Sequence, residues 1–151
     1  MSETQIVVCE LRNESYGLDI SRVFEIIRLQ PITAVPRAPE FVDGVINLRG
    51  RIIPIVDLSV RFGMARSTAT RDSRIVVTGT CDTRVGLVVD SVSEVLMVSG
   101  DAIEAAPSML SSKADTGTMK GIARVGDRLI VLLELDALLG EKGCLSDVIA
   151  A

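Results

Sequence analysis

The sequence predicts an all-β protein: two pseudo-symmetric five-stranded β-barrels from an internal duplication, with short helical turns and a C-terminal helix or tail. Three observations predict it. Hydrophobic residues fill 48% of the 151 positions but aromatics only 3%, so the core must be built from Val, Ile and Leu, side chains that fit pleated strands. The apolar runs are short and punctuated by turn residues, as in small closed sheets, and closure removes vulnerable edges. The third observation is a repeat. IVVCELRNESYGLDI (6–20) lies over IVVTGTCDTRVGLVV (75–89) without a gap at an offset of 69, and Val23, Glu25, Ile26 and Ile27 then fall on Val92, Glu94, Val95 and Leu96. After an insertion, GVINLRGRIIPIVDLSVRFG (44–63) lies over GIARVGDRLIVLLELDALLG (121–140) at an offset of 77.

The expected organisation is one domain over 1–151, with a first barrel repeat at 6–63, a connector at 64–74, a second barrel repeat at 75–140 and a tail at 141–151. Strand exchange between the barrels is compatible with this division. In the first repeat a strand at 6–11 leads through a polar hairpin at 12–15, where Asn13 tolerates turn geometry. A second strand opens at Gly17 and runs into 23–29, followed by a proline-bearing loop. Two β-branched runs then flank Asn47-Leu48-Arg49-Gly50, a hairpin whose Gly50 supplies positive φ. Pro54 cannot donate to a ladder, so its strand is expected at an edge or at a bulge. A helical turn at 58–62 is capped by Asp57 and closed by Gly63. The second repeat carries the same parts: strands from 75 and from Gly86, a hairpin with Asp82, and a turn at 136–139 closed by Gly140. MARSTATRDSR (64–74) reads as an exposed connector and SSKADTGT (111–118) as an inserted surface loop. Leu145, Val148 and Ile149 stand at helical spacing in the tail.

Composition excludes several kinds of chemistry. The formal net charge is −4, which gives no electrostatic footprint for nucleic acid or an anionic membrane. No apolar run approaches the roughly 20 residues of a membrane helix, and the N-terminus shows no signal-peptide pattern, so neither membrane insertion nor export is expected. Histidine is absent, and with it the commonest general base and nitrogen ligand. Cys9, Cys81 and Cys144 lack ligand spacing and read as ordinary thiols of a reducing cytosol. The glycines stand singly at strand ends instead of forming a phosphate loop. Asp57 and Glu134 occupy equivalent repeat positions, which suits capping better than an acid–base pair. No enzyme, metal or cofactor is therefore expected, and function should lie in surface recognition. The strands at 23–27 and 92–96 carry more apolar residues than one buried face needs. Either both faces are buried between the barrels, or the strands line a groove able to take an apolar helix. Phe41 and Met109, on loops that begin at Pro39 and Pro107, could dock partners head to tail. Arg49 at a rigid hairpin tip makes a good interface anchor.

Several motifs in order carry a resemblance: NLRGRIIPIVDL (47–58), YGLDISRVFEI (16–26), PRAPEFVDGV (36–45), GLVVDSV (86–92) and GDRLIVL (126–132). Together they cover nearly the whole chain and resemble the CheW family of chemotaxis coupling proteins. The resemblance implies two five-stranded barrels and a non-enzymatic cytoplasmic adaptor recruited to membrane-associated receptor arrays. Its implied partners are the regulatory domain of a CheA-type histidine kinase and the cytoplasmic helical hairpin tip of methyl-accepting chemoreceptors. By position, Val23, Glu25, Gly44, Phe41 and Met109 are implied in kinase binding. Ile26, Ile27, Arg49, Val92 and Val95 are implied in a receptor-binding groove. Met109 stands where the family often carries an aromatic residue at a ring-forming contact. The resemblance is to single-domain coupling proteins, so neither a receiver domain nor the kinase itself is expected. The alternative is a CheW-like adaptor of a pilus-motility or other chemosensory pathway.

Overall fold

The structure, a computed structural model, describes residues 3–66, 68–80, 83–104 and 119–135. Met109, the turn at 136–139 with Gly140, the 111–118 loop, the tail, Asp82, Cys81 and Cys144 lie outside the described residues. The strands are β1 (Glu3–Leu11), β2 (Glu14–Asp19), β3 (Val23–Arg28), β4 (Val42–Leu48), β5 (Arg51–Asp57), β6 (Arg74–Thr80), β7 (Thr83–Val89), β8 (Ser91–Ser99), β9 (Ile103–Glu104), β10 (Met119–Val125) and β11 (Arg128–Leu133). One short helix, α1 (Leu58–Arg61), follows β5. Asp57 caps it as expected, accepting from the Ser59 amide at 2.9 Å and the Val60 amide at 3.4 Å.

The strands form two sheets, ordered β8-β1-β2-β11-β10-β9 and β3-β6-β7-β5-β4. Under the sequence repeat, β3, β6, β7, β5 and β4 correspond to β8, β1, β2, β11 and β10, so both sheets have the same order. The registers agree as well. Ile26 pairs with Val76 as Val95 pairs with Val7, and Ile55 pairs with Gly86 as Leu132 pairs with Gly17. Even the bulges repeat: one extra residue, Phe24 or Ser93, interrupts the pairing of β3 with β6 or β8 with β1.

Each sheet is closed by the run-on of its outermost strand. Beyond β8 the chain returns as β9 to pair with β10. Beyond β3 it returns to Thr33, which exchanges two backbone hydrogen bonds of 2.8 and 2.9 Å with Val45 of β4. Thr33 and Glu104 are thus equivalent seams, and the main strands of each barrel number five, the sixth being the two-residue β9. The barrels are not the sequence repeats, however. One barrel holds hairpin β1–β2 with strands from beyond the connector, and the other holds β3, β4 and β5 with hairpin β6–β7.

Three clusters fill the fold. Ile6, Val8, Val98, Ala123, Ile130 and Leu132 pack inside one barrel, and Ile46, Ile53, Ile55, Ile75, Val77 and Val88 inside the other. A third cluster, including Val7, Cys9, Leu11, Val76, Val85, Leu87 and Val89, lies where the barrels meet. On β1 the alternation sends Ile6 and Val8 inward but Val7 and Cys9 toward the other barrel. Both faces of β1 and β6 are buried for that reason.

The expectation for Pro54 is corrected. Strand β5 is internal, flanked by β4 and β7, and the adjacent bulge is on β4. Pro54 is tolerated because its partner Val45 directs both backbone groups at Thr33 and needs no donor from it.

Burial also governs the chemistry of Cys9. Loss of solvent, helped by neighbouring Glu10, pushes its thiol from 9.0 up to about 12. An unfolded chain ionises this thiol above pH 9 while the folded chain keeps it neutral, so its contribution is intact below pH 9 and lost as pH rises toward 12. We expect stability to fall over that window by about 1.4 kcal/mol per pH unit from this group. Urea titrations at alkaline pH should show a shallower decline for Cys9→Val; equal slopes would refute the assignment.

Candidate protein-binding surface

The β4–β5 hairpin turns in two residues, Leu48 pairing with Arg51 across Arg49 and Gly50. Both turn residues have positive φ, 53° and 84°, which matches the twist of a type I′ hairpin. The Asn47 side chain supports the corner by accepting from the Gly50 amide at 2.9 Å. The equivalent hairpin has Gly126 where this one has Arg49, so the first repeat holds a branched cation in a conformation that L-residues adopt unfavourably. Its Nη1 donates to Glu25 Oε2 at 2.6 Å. The side chains are 72% and 23% exposed, so the pair adds little stability. What it does is aim the guanidinium, and the hydrogen bond and charge of Glu25 raise its pKa further above the usual arginine value.

Glu25 lies on β3 just beyond the bulge. Val23, before the bulge, packs partly against the core shared by the barrels. Ile26 is 39% exposed although its ladder partner Val76 is buried in that core. Val92 and Val95 repeat this arrangement on β8: Val92 is partly buried on the shared core, and Val95 is 45% exposed opposite buried Val7. Ile26 and Val95 therefore mark symmetry-related rims where the shared core reaches the surface. Ile27 does not join them. It is one residue along the strand, so it points the other way and packs, half-buried, against the core inside the barrel.

Two other expected positions are less superficial than the sequence suggests. Phe41 is half-buried against the shared core, with the Arg61 guanidinium 5.4 Å from its ring centroid. Gly44 is buried, and a Cβ there would overlap the Thr33 carbonyl oxygen at the barrel seam. Conversely, Phe24 was absent from the expected set. As the extra residue of the bulge it is 53% exposed, lying over Gly79 with the Arg84 guanidinium 4.2 Å from its ring. Its repeat counterpart is Ser93, and that contrast between otherwise matching strands was the available signal.

Two carboxylates that follow apolar strands have structural partners. Asp57 caps α1, and Asp90 accepts from the Arg12 amide at 2.8 Å. Among the described residues, no group of three or more His, Cys, Asp or Glu is placed to hold a metal, and no helix is long and apolar enough to cross a membrane.

Two closed barrels that share a core and present paired apolar rims beside a fixed cation define a double-barrel protein with a surface suited to binding other proteins. Residues 5–143 match the CheW-like domain family. The chain is 35% identical to the chemotaxis protein CheW of Klebsiella aerogenes over 138 residues, covering 91% of this chain and 82% of that protein. It is 33% identical to CheW of Thermotoga maritima over 141 residues, covering 93% and 91%. The crystal structure of the scaffolding protein TtCheW from Thermoanaerobacter tengcongensis superposes with a TM-score of 0.84 at 39% identity, covering 94% of this chain and 96% of that one. The chain belongs to the CheW family and is a chemotaxis coupling adaptor.

Proposed function

We propose that this adaptor joins the regulatory domain of a CheA-type histidine kinase to the cytoplasmic helical hairpin tip of methyl-accepting chemoreceptors. The observation that carries this reading is Arg49: a non-glycine residue held at φ 53° on a hairpin tip and tethered to Glu25. Such placement suits an interface anchor. Ile26, Val92 and Val95 supply the apolar contact for the receptor helix, and Ile27 supports the strand from inside the barrel. Val23, Glu25, Phe41 and Met109 form the kinase-facing set, and Gly44 serves it by holding the seam closed. The adaptor works in the cytoplasm, recruited to receptor arrays by these contacts, and changes no covalent bond. Receptor state then biases the kinase only through contacts that differ between states. The chemotaxis proteins among its relatives favour this pathway over pilus motility.

Arg49→Ala is expected to weaken binding to a receptor hairpin on the order of tenfold, the effect of losing one interface anchor, while the thermal midpoint stays put. Titration of parent and variant against the same receptor fragment checks this; unchanged affinity removes Arg49 from the contact. A parallel titration against the kinase regulatory domain from the same organism tests the other partner, and absence of saturable binding would move the function elsewhere.

A further inference from the structure

The exchanged topology makes the molecule resemble a two-fold dimer folded within one chain. Among the described residues, the ladders that join one sequence repeat to the other are β1 with β8, β2 with β11, β3 with β6 and β5 with β7. These ladders come in pairs with matching register, bulges included. Before the connector, the ladders among strands are only the hairpins β1–β2 and β4–β5. Residues on either side of the connector are thus complementary to each other in the same way twice over, the self-complementarity of an isologous interface.

We propose that a second copy of this chain can take either role, giving a closed dimer in which each double barrel combines residues before the connector of one copy with residues after it of the other. No ladder is lost in the exchange. The Arg49–Glu25 pair also survives, because both residues precede the connector. The contacts to be broken and remade within one body are the same, so the balance rests on the connector. Met64 and the connector residues attach to the first-repeat side through Met64 N to Ser59 O at 2.8 Å, Arg12 Nη2 to Ala65 O at 2.7 Å and the Arg66–Asp43 ion pair. A short tether gives an effective concentration on the order of millimolar. The single-chain form therefore dominates in dilute solution, and exchange competes as chain concentration approaches that value. The exchanged dimer carries two copies of every docking surface, which makes it a bivalent adaptor.

Gln5 and Met97 are exposed ladder partners on β1 and β8. One full-length chain carries Gln5→Cys and another Met97→Cys, both with Cys81→Ser and Cys144→Ser. The two are unfolded together, refolded at about 10 µM and about 1 mM, oxidised, and digested for mass spectrometry. Exchange predicts a disulfide joining positions 5 and 97 of different chains, in a species of twice the monomer mass, rising at least tenfold in yield between the two concentrations. Folded monomer without that link at 1 mM, or a yield no greater than when the two folded chains are simply mixed, overturns the proposal. Arg28→Cys and Arg74→Cys, paired across β3 and β6, provide the same readout on an independent ladder should the first pair refold poorly.

Discussion

Gly44→Ala is expected to lose about 2–6 kcal/mol of folding stability in urea titration, and Gly44→Asp to leave little folded protein. Two effects add. Gly44 has φ +145°, a region closed to side-chain-bearing residues at a cost of about 1–3 kcal/mol. The new Cβ would also overlap the Thr33 carbonyl oxygen, backbone that cannot swing aside without opening the Thr33–Val45 bridge; forced overpacking costs about 1–3 kcal/mol more. The equivalent Gly121 has its nearest neighbour, the Glu104 carbonyl oxygen, 2.7 Å from a built Cβ, without a positive φ. Gly121→Ala should therefore be the milder of the two. Any loss of kinase binding in a Gly44 variant would then follow from loss of the seam. A Gly44→Asp protein of native stability that fails to bind kinase would reverse this conclusion and place the residue in the contact itself.

The second large effect is expected at Leu87. It is fully buried in the core between the barrels, and Leu87→Ala should lose about 2–5 kcal/mol through lost transfer energy and the cavity left behind. The shape of the transition matters as much as its midpoint. Each barrel's ladders are its own, but both bury strands against the shared core, so neither can unfold without exposing Val7 and Cys9 or Val76 and Leu87 of the other. Fluorescence-free probes such as circular dichroism and one-dimensional NMR should report one coincident transition for parent and variant. Two separated transitions would mean that the barrels are independent units. Leu129→Ala, on an exposed position of β11, is the control, with a change within about 0.5 kcal/mol.

Much of this was legible in the chain. The repeat at offsets 69 and 77 anticipated matched strands, hairpins and the fold class, and Asp57 announced the cap of α1 because Asp before an apolar turn has few other uses. Arg49 was visible as a cation beside a hairpin glycine. What the letters did not contain was which barrel each strand joins. The pattern at 6–11 is apolar on both faces, so it fits either sheet equally, and the exchange rests on long-range pairing that no local window encodes. The same ambiguity holds at Ile26 and Ile27, which are chemically alike: only the bulge at Phe24 sets which one is the more exposed. Pro54 misled because its tolerance depends on where Val45 points, a property of the distant residue Thr33. Gly44 looked like a surface residue for a related reason, since the carbonyl that crowds it arrives from eleven positions upstream.

The crossing of ladders over the connector has a consequence for biosynthesis. A ribosome that has released only the first 66 residues has made hairpins β1–β2 and β4–β5 and no sheet partner for β3. At roughly 5–20 residues per second, these strands wait several seconds with open edges until β6, β7, β8 and β11 emerge. Closure of either barrel must therefore wait for strands beyond the connector, and the vulnerable species is the half-made chain, whose unpaired edges are the ones an early chaperone would have to cover.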